Sequence, residues 1–266
     1  MVLLLLMTVG WKFSDVLTSS EIIGQTIYVA MGYAVLTTLG TFFIIAFVFK
    51  SERVNQTSHY VGQQQSFIAP LKECAVALGM VVLGVVLSRL ISLESIFDFE
   101  LDMVNVFLYG LIFCIGADMA HANLNRSWRN PRVLLVPIWV VVGSLLGGFL
   151  ASLLFDEALQ TSLALSSGFG WFSLSSILVT SKLGVTYGAI ALLTDLFREL
   201  MAICFLYLFG ARFSREGVAL SGAAASDSTL PIIKQMCSAD MIPIALVSGI
   251  VLNFIAPPLM IFFLSL

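Results

Sequence analysis

The stretch Thr194-Asp195-Leu196-Phe197-Arg198-Glu199 places three charged side chains within six residues, and an apolar run to Phe209 follows directly. The rest of the chain consists largely of apolar runs, so these charges are predicted to lie at or near hydrocarbon depth. Placing a charge there costs about 3 to 10 kcal/mol, and such residues usually mark a substrate or ion path. The stretch therefore predicts a polar site inside a membrane.

The composition excludes an ordinary soluble domain. The chain has 266 residues, of which 59% are hydrophobic and 11% are charged, whereas a soluble domain has roughly 25% charged residues. We predict an all-α polytopic membrane protein that forms a single integral domain over residues 1–266. About seven transmembrane helices fit this length. After a short apolar run at the start, the predicted spans cover 24–49, 71–91, 104–119, 133–155, 189–210 and 242–264.

Two further segments, 159–180 and 221–236, are apolar but broken. The first is interrupted by glycines and serines between Ser166 and Ser173, which makes a continuous lipid-facing helix unfavourable. We predict that both segments are re-entrant, although full crossings remain an alternative. A re-entrant first segment also leaves Arg212 and Arg215 on the cytoplasmic side.

The loops carry alternating charge. By the positive-inside rule, the basic loops 50–72 and 121–132 are predicted to be cytoplasmic, and the acidic loops 92–102 and 156–157 external. Residues 2–10 also resemble 107–116, and glycine-bearing spans follow around Gly40 and Gly147, which suggests an inverted repeat. The spacing of Gly143 and Gly147 predicts close helix packing.

Asp195 and Glu199 are four residues apart and share one face of a helix. Arg198 is three residues from Asp195, so an internal ion pair between them is a plain structural reading. That pairing gives Glu199 no obvious partner on its own helix. A carboxylate in such surroundings tends to hold a proton, which an arriving cation can displace. The pattern is therefore also consistent with exchange of a cation against H⁺.

Asp227 lies in the sequence Ser226-Asp227-Ser228-Thr229-Leu230-Pro231, which is typical of a helix start. It is either a simple N-cap in a loop or the start of a half-helix within the membrane. In the second case the helix end would suit a carboxylate, and Asp227 would suit an amine.

The first broken segment adds candidate binding residues. Gly168 and Gly170 expose backbone that can contribute carbonyl groups, and Trp171 could contact an ammonium group with its ring face. Ordinary packing of Trp171 is an equally good interpretation. Two broken segments that meet near the midplane would offer complementary charges to a zwitterion with an extra cationic group.

Three ordered motifs resemble the lysine exporter (LysO-type) family of bacterial inner-membrane proteins. They are the segments 167–175, 195–200, and 222–227 together with 229–231, and the resemblance is best over 104–266. Ala225 and Ser228 differ from the usual family motif. It implies a multi-pass inner-membrane protein that exports L-lysine and its analogue thialysine, with protons as the coupling ion. It places the intramembrane acidic residues at Glu199 and Asp227. Family members usually have one more helix at the N-terminus.

Other readings stay open. The substrate could be another cationic amino acid or a polyamine, and the chain could instead be a non-transporting accessory membrane subunit. An intramembrane protease is disfavoured because His59 and His121 fall in loops, so we predict no enzyme, cofactor or metal. The expected partners are the substrate, protons and membrane lipid, without nucleic acid, and a homodimer is left open.

Overall fold

A computed structural model describes Met7, Trp11 and residues 20–50, 68–90 and 131–266. Within these residues the chain is helical, as predicted. The helices are α1 (Ser20–Val48), α2 (Ile68–Leu90), α3 (Pro131–Phe155), α4 (Leu159–Ser166), α5 (Phe172–Leu183), α6 (Val185–Phe209), α7 (Ser214–Ser221), a 3₁₀ helix (Gly222–Ser226), α8 (Leu230–Met236) and α9 (Met241–Ser265).

Three of the described helices are long and apolar enough to cross a membrane, namely 23–48 in α1, 133–155 in α3 and 241–265 in α9. Helix α6 is equally long but carries the three charges of its central stretch. The predicted spans 24–49, 71–91, 133–155, 189–210 and 242–264 therefore each correspond to a long helix. The predicted span 104–119 lies outside the described residues.

Helices α1 and α3 pack backbone to backbone through glycines. A Cβ atom on Gly40 would lie 2.3 Å from the carbonyl oxygen of Gly143, and one on Gly147 would lie 2.4 Å from that of Leu36. This confirms the packing prediction. Tyr33 also stacks on Phe155, with ring centroids 5.5 Å apart, so the two helices run in opposite directions.

Residues 159–183 form a helical hairpin, called hairpin 1. Helix α4 runs back along α3 until the carbonyl of Ser166 accepts a 2.6 Å hydrogen bond from Ser144, near the middle of α3. After the turn, α5 runs outward and leads into α6, where Tyr187 donates a 3.0 Å hydrogen bond to Glu157, just beyond the end of α3. The hairpin therefore leaves through the face it entered, which we call the acidic face for Asp156 and Glu157.

Residues 214–236 form hairpin 2, which enters from the opposite face. Arg215 at its start stacks over Phe49, just beyond the end of α1, at 4.5 Å from the ring centroid. At its far end the thiol of Cys237 lies 3.9 Å from the carbonyl oxygen of Ser214, so the chain has returned. We call this the basic face for Lys50, Arg212 and Arg215. Both broken segments thus fold as helical hairpins, and their re-entrant position in a membrane stays a prediction.

One boundary of hairpin 2 was predicted wrongly. The sequence suggested a polar link up to residue 220 and a broken segment from 221, but helix α7 already begins at Ser214. The charges of Arg215 and Glu216 resemble a solvated link. Glu216 is nevertheless buried, because this part of the chain forms the entering arm of the hairpin.

The inverted repeat stays a prediction. Helices α1 and α3, which carry the two matching glycines, cross in opposite directions as such a repeat requires. The two hairpins also enter from opposite faces. The other matching segments, 2–10 and 107–116, fall almost entirely outside the described residues.

Candidate functional site

The tips of the two hairpins touch each other near the middle of the fold. The backbone N–H of Ala223 donates a 2.9 Å hydrogen bond to the carbonyl oxygen of Phe169. Gly222 has a φ of 58°, and a Cβ atom there would lie 2.2 Å from the same oxygen. Glycine is therefore required where the tips meet.

Asp195 on α6 holds the tip of hairpin 1. One carboxylate oxygen accepts a 2.8 Å hydrogen bond from the backbone N–H of Gly170, and the other accepts one from the hydroxyl of Ser175. A Cβ atom on Gly168 would lie 1.8 Å from that second oxygen. Gly168, Gly170 and Asp195 thus come together, but as a closed structural contact in which Asp195 is 1% exposed.

Arg198 is also buried, and its hydrogen bonds lead away from Asp195. Its guanidinium donates to Ser144 on α3 at 2.6 Å and to Thr41 on α1 at 3.4 Å. Its central carbon lies 5.9 Å from the ring centroid of Phe169, within the range of a cation–π contact. Arg198 therefore joins α1, α3, α6 and hairpin 1, and its charge also acts on that of Asp195, with which the sequence predicted an ion pair.

Glu199, one helical turn beyond Asp195, contacts hairpin 2. It is 3% exposed, and one of its carboxylate oxygens accepts a 2.5 Å hydrogen bond from the hydroxyl of Ser228. The partner that α6 itself did not offer thus comes from the hairpin. Helix α6 therefore supplies one acidic side chain to each tip.

Asp227 precedes Ser228 and is exposed. Asp227 is the sequence neighbour of Ser228, the residue that contacts Glu199 on α6. Asp227 is exposed whereas Glu199 is buried.

Ser226 and Thr229 stabilise the tip of hairpin 2 locally. Their hydroxyls donate to the carbonyl oxygens of Ala223 at 3.4 Å and Ala224 at 3.0 Å. Helix α8 begins directly afterwards with Pro231 in its first turn, so a helix does start here, but its N-cap residue is Thr229 and not Asp227 as the sequence suggested. Trp171 is half-buried, and its backbone N–H donates to the carbonyl of Gly168 at 2.9 Å.

Comparison with known proteins identifies the family. The model of the family described as "Lysine exporter LysO" matches residues 78–264, which include both hairpins and α6. The chain belongs to the LysO lysine exporter family. Within this family it is 37% identical to the Escherichia coli protein named "Lysine exporter LysO" over 155 residues, which are 58% of this chain and 52% of that protein.

A second LysO relative is the Haemophilus influenzae protein named "Putative lysine exporter". It is 34% identical over 160 residues, which are 59% of this chain and 82% of that protein. The chain thus spans about half the length of the Escherichia coli relative. No solved structure matches.

Four hydroxyl residues of this LysO-family chain contact the charged side chains and escaped the sequence reading, namely Ser144, Ser175, Ser228 and Thr41. Ser144 appeared only as part of a glycine-rich packing motif, and Ser175 and Ser228 only as polar members of broken segments. The sequence feature that could have identified these residues is weak, because it is only a hydroxyl side chain within an apolar run. A serine there usually bonds its own helix backbone, so the signal does not single them out.

Proposed function

We propose that this chain is a secondary transporter that exports L-lysine across the bacterial inner membrane in exchange for protons. The carrying observation is the position of Glu199, a buried carboxylate on α6 that contacts hairpin 2 one helical turn from Asp195, which contacts hairpin 1. Discontinuous segments that flank a central site are the usual design of secondary transporters. The names of the relatives supply the substrate class.

The exchange would involve both acidic residues of the hairpin 2 side. A lysine carries two ammonium groups and one carboxylate, so its net positive charge suits an acidic site. Asp227 is exposed and would receive an ammonium group first, and Glu199 would complete the site. A cation beside Glu199 favours its ionised form, so the arriving substrate would displace the proton of the carboxyl group.

The orientation follows from the charges at the ends of the helices. Lys50, Arg212 and Arg215 lie at the basic face, which the positive-inside rule assigns to the cytoplasm. Hairpin 2 would then enter from the cytoplasm and hairpin 1 from outside. An exporter must accept its substrate from the cytoplasm, and the exposed Asp227 lies on the hairpin that enters from that side.

Thialysine differs from lysine by one sulfur atom in the side chain, so it would fit the same charges. Other cationic amino acids also fit, whereas a polyamine lacks the carboxylate.

A protease with paired aspartates has little support, because both carboxylate oxygens of Asp195 accept hydrogen bonds from hairpin 1 while Asp227 is exposed on hairpin 2. Such a mechanism needs the two carboxyl groups to share one proton.

The test is a proteoliposome assay that follows labelled lysine and internal pH together. We expect the wild type to move lysine with opposite proton movement, and Glu199→Gln to insert normally but lose transport. Glutamine keeps an oxygen that can accept the Ser228 hydrogen bond, so packing is retained. Cys204→Ser is the control, because Cys204 is an exposed free cysteine on the same helix, and it should transport normally. Lack of lysine movement by the wild type would support an accessory role, and normal flux by Glu199→Gln would exclude the proposed site.

A further inference from the structure

We propose that the ends of α1 and α6 at the basic face form a binding surface for an anionic phospholipid. Lys50 follows the end of α1 and Arg212 follows the end of α6, and both side chains are exposed. Each positive charge therefore lies where a long apolar helix ends. The inference concerns the lipid that surrounds the chain, so it does not depend on the proposed function.

Aromatic rings join these two helix ends. The ring of Phe42 on α1 lies 5.6 Å from that of Phe205 on α6 and 6.4 Å from that of Phe213, measured between centroids. We call Phe42, Phe205 and Phe213 the aromatic cluster. Because Phe213 directly follows Arg212, the cluster holds the Arg212 segment against both helices.

Two guanidinium groups lie over aromatic rings at this end of the fold. The central carbon of Arg212 is 5.4 Å from the ring centroid of Phe213, and that of Arg215 is 4.5 Å from the ring centroid of Phe49, the neighbour of Lys50. Such cation–π contacts keep a guanidinium at the boundary between apolar and polar surroundings. A guanidinium also matches a phosphate group, because it can donate two parallel hydrogen bonds to it.

An exposed apolar surface continues from the aromatic cluster along both helices. Phe43 and Phe47 on α1 are 63% and 81% exposed, and Leu208 and Phe209 at the end of α6 are 74% and 48% exposed. Phe43 and Phe209 each contact a ring of the cluster, with centroids 5.6 Å and 5.4 Å apart. An acyl chain fits this surface while its phosphate lies at Arg212, and the positive charges favour a headgroup with net negative charge.

The position of the positive charges defines this surface better than the net charge of the whole face. Lys234 and Asp240 are also exposed at this end of the fold, on α8 and before α9. They belong to the returning arm of hairpin 2 and the segment after it, whereas the aromatic cluster joins α1 and α6. Lys234 therefore provides a matched control for Arg212.

The experiment adds phosphatidylglycerol, phosphatidylcholine or inorganic phosphate to the full chain purified in detergent. Native mass spectrometry measures bound lipid, and thermal unfolding measures stabilisation. We expect phosphatidylglycerol to bind and to raise the unfolding midpoint, phosphatidylcholine to bind more weakly, and inorganic phosphate to leave the midpoint unchanged. Arg212→Gln should weaken phosphatidylglycerol binding about five-fold, the effect of one cation near the headgroups, and the double variant Lys50→Gln/Arg212→Gln should weaken it further.

Lys234→Gln should bind phosphatidylglycerol with wild-type affinity. Equal weakening in Lys234→Gln and Arg212→Gln would show a general attraction to the basic face and overturn the assigned surface. Equal binding of the two lipids would overturn the selection for negative charge, and a full stabilisation by inorganic phosphate would show that no lipid is needed. A dimer that excludes lipid in the mass spectrum would assign the surface to a second copy of the chain and contradict the inference.

Discussion

The tips of hairpin 1 and hairpin 2 are built from similar residues but differ in their exposure. Residues 166–170 of hairpin 1 are all buried, and Asp195 holds them through Gly170 and Ser175. In hairpin 2 the corresponding acid, Glu199, contacts a half-buried serine beside exposed Asp227. The difference teaches that two acids one turn apart on α6 have different surroundings: Asp195 is enclosed by hairpin 1, whereas Glu199 contacts a tip of which one residue, Asp227, is exposed.

The largest effect is expected from labelling the two hairpins from opposite sides of the membrane. Lys182 and Lys234 are exposed at the outer ends of hairpin 1 and hairpin 2. In a background without native cysteines, we expect Lys182→Cys to react with an impermeant maleimide on intact cells, and Lys234→Cys to react only after permeabilisation. Reaction of both from the same side would refute the opposed arrangement.

A large loss of stability is expected when a side chain is added at the tightly packed tip of hairpin 1. Gly168→Ala would place a Cβ atom 1.8 Å from the Asp195 carboxylate, and overpacking of this kind typically costs about 1–3 kcal/mol. We expect a clearly lower thermal unfolding midpoint in detergent. The matched control is Gly24→Ala, where a Cβ atom meets nothing within 4 Å; equal midpoints for the two variants would show that the tip of hairpin 1 is not tightly closed.

The smallest effect is expected where hairpin 1 leads into α6. Tyr187→Phe removes the hydrogen bond to Glu157, and a single hydrogen bond between membrane helices contributes about 0.6 kcal/mol. A slightly lower unfolding midpoint with unchanged lysine flux is the expected result. A loss of flux would mean that the end of hairpin 1 near α6 also takes part in transport. That result would weaken the contrast between a fixed hairpin 1 and a functional hairpin 2.

Much of this fold could be predicted from local sequence. The long apolar runs gave the helices, the glycines and serines around Gly168 gave the first break, and Pro231 gave the start of α8. The arm α7 was missed because Arg215 and Glu216 resemble a solvated link, whereas tertiary packing buries Glu216.

The contacts of the site were harder to predict than its acidic residues. Asp195 and Glu199 stand out because charge is rare in the apolar chain. Their partners are serines, and the sequence does not distinguish one serine from another. Ser221 donates to the backbone of its own helix, whereas Ser228, seven positions later in the same hairpin, donates to the carboxylate of Glu199 on α6. The distinction depends on which helix lies opposite, and a single sequence does not show that.

The most direct test of the division of labour on α6 compares Asp195→Asn with Glu199→Gln, measuring thermal unfolding and lysine counterflow on the same preparations. We predict that Asp195→Asn lowers the unfolding midpoint, because its amide cannot replace both acceptor oxygens. We predict that Glu199→Gln keeps the midpoint near that of the wild type and abolishes counterflow. If both variants lost stability and flux to the same extent, or if Glu199→Gln transported normally, the account would be contradicted.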